Sequence, residues 1–170
     1  MRNKTVLTLV ILFILIANFD GFSQDIRAEH DQDGVREVID RLFKGMHLGD
    51  SALARSTFSK DVTTATIFKN KTGEIVLHHE NSIADFMKAI AAPHKDVWHE
   101  EIWDLKIQLD GDFAQAWCDY AFYSGNNFSH CGVDAFHLYR SSEGWKIFHL
   151  ADTRRKTECT IPKDIQDKHR

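Results

Sequence analysis

The 170-residue sequence contains only 2 prolines, 9 glycines and 3 cysteines, and it shows no internal repeat or low-complexity stretch. The scarcity of proline and glycine excludes a collagen-like or linker-rich chain, and the lack of repeats excludes solenoids and propellers. Because 21 Lys and Arg residues face 25 Asp and Glu residues, no basic excess favours a nucleic-acid partner, and we expect none. The hydrophobic content of 43% and the length are typical of a single globular domain.

Residues 1–23 have the composition of a secretory signal peptide. Arg2 and Lys4 precede an apolar run over residues 6–19, and small residues stand near the expected cleavage point between Ser23 and Gln24. The run is shorter than the ~20 residues of a membrane-spanning helix, which favours cleavage over an uncleaved anchor. We therefore expect an exported protein, periplasmic or secreted, with no stable membrane anchor after cleavage.

Hydrophobic spacing after residue 30 predicts helices first and strands later. Apolar residues recur every three or four positions in residues 31–48, and similar signals predict helices over residues 50–58 and 81–92. Alternating apolar and polar residues, together with Val, Ile and Thr content, predict six strands. These strands are expected at residues 62–68, 74–79, 101–109, 113–124, 130–141 and 145–155.

This order of elements predicts an α+β domain over residues 31–157, in which helices cover one face of a curved sheet. Residues 24–30 are expected to form a flexible N-terminus, and residues 158–170 a C-terminal tail. Side chains that share the covered face of the sheet are the candidates for a site, so the strand registers matter.

A turn centred on Asn126 predicts the pairing of the strands over residues 113–124 and 130–141. The expected opposite pairs are Tyr120 with Gly132, Cys118 with Asp134, and Phe122 with His130. In the strand over residues 101–109, alternation places Trp103 on the same face as three other apolar residues, Leu105, Ile107 and Leu109. Gly132 would leave room for a ligand to approach the sheet.

A two-residue turn at Ser142 and Glu143 predicts the last strand pair, with Phe136 opposite His149. In this register Asp134 faces Ala151, and one face of the sheet combines aromatic walls with three polar groups. The aromatic residues are Tyr120, Phe122, Phe136 and Trp145, and the polar residues are His130, Asp134 and His149.

Three segments of the sequence resemble a known superfamily. They are Asp110-Gly111-Asp112-Phe113-Ala114, His130-Cys131-Gly132-Val133-Asp134-Ala135-Phe136, and Gly144-Trp145-Lys146-Ile147 leading into Asp152-Thr153-Arg154. Over residues 28–155 the chain resembles the nuclear-transport-factor-2-like (SnoaL-like) superfamily, and within it the small exported bacterial proteins labelled putative lumazine-binding. The resemblance implies a cone-shaped, cystatin-like fold, with three N-terminal helices packed on a curved, mostly antiparallel sheet. It also implies a ligand cavity between the helices and the sheet.

A mostly apolar cavity with a few convergent polar groups is typical of a small-molecule site. The expected ligand-binding residues are Trp103, Tyr120, Phe122, His130, Asp134, Phe136 and His149. A carboxylate and an imidazole can shuttle a proton, which makes His130 and Asp134 candidate catalytic residues of an isomerase- or dehydratase-type enzyme. Alternatively, Asp134 and His149 are hydrogen-bonded buried groups that organise the sheet.

The sequence does not reproduce the catalytic set of either enzyme family, which favours a binding protein for a small, flat and aromatic molecule. We expect no cofactor. The basic run Arg154-Arg155-Lys156 is either solvated or, through Arg154, a clamp for an anionic ligand. The 10 histidines raise the question of a metal site, but their spacing matches no metal motif, and none is expected.

The opposite face of the sheet is expected to carry His137, Tyr139, Phe148 and Leu150 among polar neighbours. Superfamily resemblance implies a homodimer through this face, and the alternative is a surface with scattered apolar residues. Three cysteines leave at least one unpaired within the chain. In the expected register Cys131 lies near Arg154, so the tail would be able to fold back and pair Cys131 with Cys159, leaving Cys118 buried and free.

Overall fold

The computed structural model describes residues 29–80 and 82–170. The predicted signal peptide, its cleavage point after Ser23 and residues 24–28 lie outside the described residues. The helix α1 covers residues 29–48, so it includes the last two residues of the segment expected to be flexible.

Two short helices follow α1, and each begins at a side-chain cap. α2 spans Ser51–Ser56, and the Asp50 side chain accepts a hydrogen bond from the backbone N–H of Leu53. α3 spans Ile83–Ala91, and the Ser82 hydroxyl accepts one from the backbone N–H of Ala84. Such caps satisfy backbone donors that the first helical turn leaves free.

The six strands form one sheet in the order β2-β1-β6-β5-β4-β3. Their bounds are Phe58–Lys69 (β1), Ile75–His79 (β2), Trp98–Asp110 (β3), Phe113–Ser124 (β4), Asn127–Ser141 (β5) and Gly144–Arg154 (β6). Strands β1 and β6 are parallel, and every other pair is antiparallel. The predicted α+β class and the predicted order of the elements are confirmed.

One face of the sheet, which we call the inner face, packs against the helices. Val35, Ile39 and Leu42 of α1 and Ile90 of α3 are essentially fully buried in this core. Burial of several such side chains, each worth about 1.5–3 kcal/mol, holds the helices on the sheet. The sheet contributes Ala114, Ala116, Cys118, Phe136, Leu138, Trp145 and Ile147 to the same core.

The predicted register of β4 and β5 is confirmed: Tyr120 pairs with Gly132, and the flanking pairs also agree. The predicted register of β5 and β6 holds only beside the turn, because the pairing shifts by one residue between His137 and Leu138. Phe136 lies opposite Leu150 and not His149, so that prediction is wrong. A shift of one residue moves every later side chain to the other face.

Irregular pairing of this kind moves three side chains to the face opposite to the predicted one. His149 lies on the outer face, where its ring is 5.6 Å from that of His137. Leu150, expected on the outer face, packs against the inner core. A second irregularity, between Trp103 and Lys106 in β3, carries Trp103 to the outer face, away from Leu105.

The C-terminal residues fold back over part of the outer face. A disulfide joins Cys131 to Cys159 with 6.0 Å between their Cα atoms, and Cys118 is free and buried. A fourth helix, α4, which spans Lys163–Lys168 and was not predicted, buries Ile165 against the outer face. Ile165 forms a second apolar cluster there with the buried residues Ala121, Tyr123 and Cys131. The partly buried residues Trp103, Cys159 and Ile161 pack against this cluster.

Over residues 29–80 and 82–170, the structure contains no helix with the length and apolar character needed to cross a membrane.

Candidate functional site

Three carboxyl side chains interact electrostatically on the inner face of the sheet. Glu100 lies on β3, Asp134 on β5 and Asp152 on β6, and we call these three residues the acidic cluster. Strand pairing places Asp134 opposite Asp152, and it places Glu100 opposite Phe122, which in turn pairs with His130. The cluster therefore draws one carboxyl group from each of three strands, β3, β5 and β6.

Asp152 is the member of the cluster with clear hydrogen-bond partners. It accepts bonds from the Thr66 hydroxyl at 2.6 Å, from the Tyr120 hydroxyl at 3.1 Å and from Arg154 Nε at 2.6 Å. The Tyr120 hydroxyl also lies 3.0 Å from the carbonyl of Thr153. These three donors hold the Asp152 side chain in place, and Asp152 in turn fixes the orientation of the Arg154 guanidinium.

Asp134 and Glu100 each have a carboxyl group whose pKa is raised. Asp134 is only 4% exposed, and burial raises the pKa of its carboxyl well above the usual range, with Glu100 and Asp152 adding to the shift. Burial also raises the pKa of Glu100 to about 8, and the charge of Asp152 acts in the same direction. With a pKa of about 8, Glu100 holds a proton at neutral pH and is able to donate a hydrogen bond.

His130 lies beside the cluster between two aromatic rings. Its ring stacks on Phe122 with a centroid distance of 5.2 Å and meets Tyr120 edge-on at 5.7 Å. Its Nδ1 lies 2.9 Å from the hydroxyl of Ser129. Burial, followed by the charge of Arg154, lowers the pKa of His130 to about 4, so the imidazole is neutral at pH 7.

An open cleft of about 900 Å³ lies at the carboxyl ends of β1 and β6. His130 and Arg154 line the cleft, and Arg154 Nε donates a hydrogen bond to Asp152 of the acidic cluster. The charge of Asp152 also acts on His130. These two side chains thus couple the cleft to the acidic cluster. The wall of the cleft also includes Thr66, Phe68, Ile75 and Lys156.

The structure brings together four of the seven residues expected to bind ligand. Tyr120, Phe122, His130 and Asp134 share the inner face. Phe136 also lies there, but it is fully buried in the core.

The other two expected ligand residues, Trp103 and His149, lie on the outer face. The expected free space above Gly132 is absent as well, since an added Cβ would overlap the Thr153 carbonyl and the Tyr120 ring.

Sequence reasoning missed Glu100 and Asp152 of this site, and it raised Arg154 only as one of two alternatives, a clamp for an anionic ligand or a solvated cation. Glu100 lies one residue before the predicted strand over residues 101–109. The alternation of apolar and polar residues that predicts this strand is weak at its start. Asp152 and Arg154 belong to the third segment that carries the family resemblance, and alternation predicts them on the outer face. The shift in the pairing of β6 moves both side chains to the inner face. The pairing of two charged residues at alternate positions, Asp152 and Arg154, is the signal that would have found them.

Within the described part of the chain, the structure holds no group of three or more His, Cys, Asp or Glu side chains arranged to hold a metal ion.

The fold corresponds to a known class of protein, the nuclear-transport-factor-2-like proteins with a cystatin-like fold. A protein of this kind from Novosphingobium aromaticivorans superposes with a TM-score of 0.64 at 16% identity, covering 81% of this chain and 90% of that chain. A putative dehydratase of the same fold family from Streptomyces avermitilis gives a TM-score of 0.56 at 14% identity, covering 76% and 99%. A putative aromatic ring hydroxylase from Novosphingobium aromaticivorans gives 0.54 at 12% identity, covering 78% and 91%.

Residues 30–149 match the family described as "Putative lumazine-binding". The chain therefore belongs to this family. The match ends before Asp152, Arg154, Cys159 and α4. No curated protein matches the sequence.

Proposed function

We propose that the protein is an exported small-molecule-binding protein that holds its ligand in the cavity between the helices and the sheet. The observation that carries this proposal is the acidic cluster, a set of convergent polar groups within an otherwise apolar interior. Burying a carboxyl group costs free energy unless the group has a hydrogen-bonding or charged partner, which a ligand can supply. A few polar groups among aromatic walls are the usual form of a ligand site. The family description also supports a small-molecule ligand.

The ligand class that suits the inner face is flat and aromatic. Trp98 meets Phe122 edge-on at 5.6 Å, and Phe122 stacks on His130. Such rings offer flat apolar surfaces for a planar ligand. The protonated carboxyl of Glu100 adds a hydrogen-bond donor that can recognise a ring carbonyl or a ring nitrogen.

A thermal-shift screen tests this proposal. The protein is screened against lumazine, flavins, steroids and small aromatic compounds, and a specific ligand at 100 times its Kd is expected to add about 2.7 kcal/mol of stability. Asp134→Asn is expected to reduce that shift, whereas Asp40→Asn, an exposed aspartate of α1, is expected to leave it unchanged. No shift with any compound, or an equal loss in both variants, would contradict binding at this site.

A second candidate is an isomerase- or dehydratase-type enzyme that uses the same residues. The raised pKa values of two carboxyls, the half-buried Glu100 and the buried Asp134, favour it, because a proton held near neutral pH is what a general acid needs. Asp134 then transfers the proton and Glu100 resupplies it. If the protein is an enzyme, the unmodified protein converts the bound compound and Asp134→Asn abolishes this turnover. If it is a binding protein, neither the unmodified protein nor Asp134→Asn shows turnover.

We propose that the outer face forms a homodimer through an aromatic patch. The patch consists of Phe113, Trp117, Tyr139 and Phe148, of which the first three are 41%, 48% and 39% exposed. Phe148 lies 6.3 Å from Phe113 and 6.2 Å from Tyr139, so the rings form a continuous surface. A contiguous apolar surface of this kind marks an interaction site.

Sedimentation equilibrium at micromolar concentration is expected to give the mass of a dimer, and Trp117→Lys a monomer. Leu48→Lys, which places the same charge on an exposed apolar residue of α1, on the other side of the sheet, is the control and is expected to remain dimeric. A monomeric mass for the unmodified protein would refute this interface.

Two features support export. The N-terminal segment has the charge, apolar run and small residues of a signal peptide. The disulfide between Cys131 and Cys159 is of a kind that persists in oxidising compartments outside the cytoplasm.

A further inference from the structure

The cleft concentrates positive charge in a chain whose net charge is −4. Four basic residues line it, against two acidic ones: Lys69, Arg154, Arg155 and Lys156 face Glu80 and Glu158. A concave surface with charge of one sign raises the local concentration of counter-ions and steers charged ligands towards it. The cleft therefore attracts anionic ligands, although the molecule as a whole carries a net negative charge.

Arg154 is held in place by a hydrogen-bond relay. Its Nε donates to Asp152 at 2.6 Å, and Asp152 is fixed in turn by Thr66 and Tyr120. The Arg154 side chain is nevertheless 51% exposed. Among the described residues, the structure gives its two terminal amino groups no hydrogen-bond partner, so the planar end of the guanidinium is open to the cleft.

An arginine of this kind is suited to anions with two oxygen atoms. A guanidinium presents N–H groups in a rigid fork that matches a carboxylate or a phosphate, and a fork that is already oriented loses little entropy on binding. The anchoring of Arg154 by Asp152 distinguishes it from a mobile surface cation.

The same cleft also has an apolar wall. Phe68 of β1 lies directly opposite Arg154 of β6, so the two side chains share one face of the sheet, and both residues line the cleft. An aromatic side chain next to an oriented cation suits a ligand that combines a charged group with an apolar body.

We propose that the cleft binds a small organic anion, whose carboxylate or phosphate accepts hydrogen bonds from Arg154 and whose apolar body lies against Phe68. This inference rests on the proposed function, because it names the ligand class at the mouth of the same site. Lys69 and Lys156 supply additional positive charge, so binding weakens as salt rises.

An NMR titration of the protein, prepared from the full chain, tests the inference with three probes of similar size. Benzoate and phenyl phosphate carry the two kinds of anion, and benzamide is the neutral counterpart. At low salt and pH 7, at least one anion is expected to bind at least tenfold more tightly than benzamide, and the tighter one identifies carboxylate or phosphate as the group recognised. Equal binding of all three probes, or no binding of either anion, would overturn the inference.

Variants locate the binding. Arg154→Gln is expected to weaken the anion at least tenfold, whereas Lys44→Gln, which removes an exposed charge on α1, changes affinity less than twofold. If Arg154→Gln fails to fold, Lys156→Gln removes an exposed cation of the cleft and is expected to weaken binding about threefold. Equal effects in the cleft variants and in Lys44→Gln would indicate only a net-charge effect and overturn the inference. Stabilisation by a neutral compound such as lumazine without anion binding would overturn the inference and leave the proposed function intact, whereas no binding of any compound would remove both.

Discussion

Unfolding measurements across pH are expected to show nearly constant stability from pH 4.5 to 6.5, followed by a loss of about 2 kcal/mol by pH 8. Glu100 causes the loss. Its pKa is raised from 4.5 to about 8 in the folded state, so between these values the unfolded chain has released a proton that the folded chain keeps. Folding is then increasingly disfavoured as pH rises. Asp134, whose pKa is also raised, adds to the effect.

Below pH 6.5 a histidine acts in the opposite direction. Burial lowers the pKa of His130 from 6.5 to about 4, so the unfolded chain gains a proton there that the folded chain refuses, and stability falls as pH falls. The lowered pKa values of His99 and His149 act in the same way. The opposite slopes of Glu100 and His130 therefore cancel between pH 4.5 and 6.5.

Two variants separate these slopes in urea denaturation at closely spaced pH values. His130→Gln is expected to expose the whole effect of Glu100, with about 4 kcal/mol lost from pH 4.5 to 8. Glu100→Gln is expected to flatten the profile above pH 6.5 and leave the loss on the acid side. Glu29→Gln and His30→Gln change exposed residues of α1 and should reproduce the unmodified profile. An unchanged alkaline limb in Glu100→Gln would show that Glu100 does not carry this proton.

The part of the site on β4 and β5 agrees with the prediction, although the turn alone does not set its register. Beside the turn, Ser124 pairs with Asn127 and Tyr123 with Phe128, one residue away from the register that a turn centred on Asn126 predicts. An irregularity between Phe122 and Tyr123 compensates for this difference, so the pairs beyond it match the prediction. Alternation along both strands then assigns four side chains to one face.

The contributions of β3 and β6 could not be predicted, because each strand contains an irregularity that alternation does not reveal. In β6 the pairing shifts next to Leu138, which turns His149 outwards and Asp152 inwards. In β3 Asp104 adopts a φ of 51°, and Trp103 consequently moves to the outer face. A bulge adds one residue to one strand only, so every side chain beyond it changes face.

The C-terminal helix illustrates a different difficulty. α4 has only six residues and a polar sequence, Lys163–Lys168, so its propensity and periodicity are weak. Tertiary contacts hold it instead: the His169 ring stacks on Tyr123 at 3.9 Å, and Lys168 bonds to Glu101 at 2.9 Å. Such contacts join residues far apart in the chain and leave no local signal.

The disulfide is expected to give the largest change in stability. Removing it with Cys131→Ala and Cys159→Ala frees a loop with a sequence separation of 28 residues, and the entropy regained by the unfolded chain corresponds to about 3–4 kcal/mol. Because α4 and the stacked His169 depend on this link to the sheet, hydrogen exchange is expected to rise in residues 156–170 and at Tyr123, but not at Ile39 in the inner core. Calorimetry measures the loss, and a reductant provides the control: it should lower the Tm of the unmodified protein and leave that of the double variant unchanged. Alkylation of both thiols without reductant, or a loss below about 1 kcal/mol, would contradict a structural role for this bond.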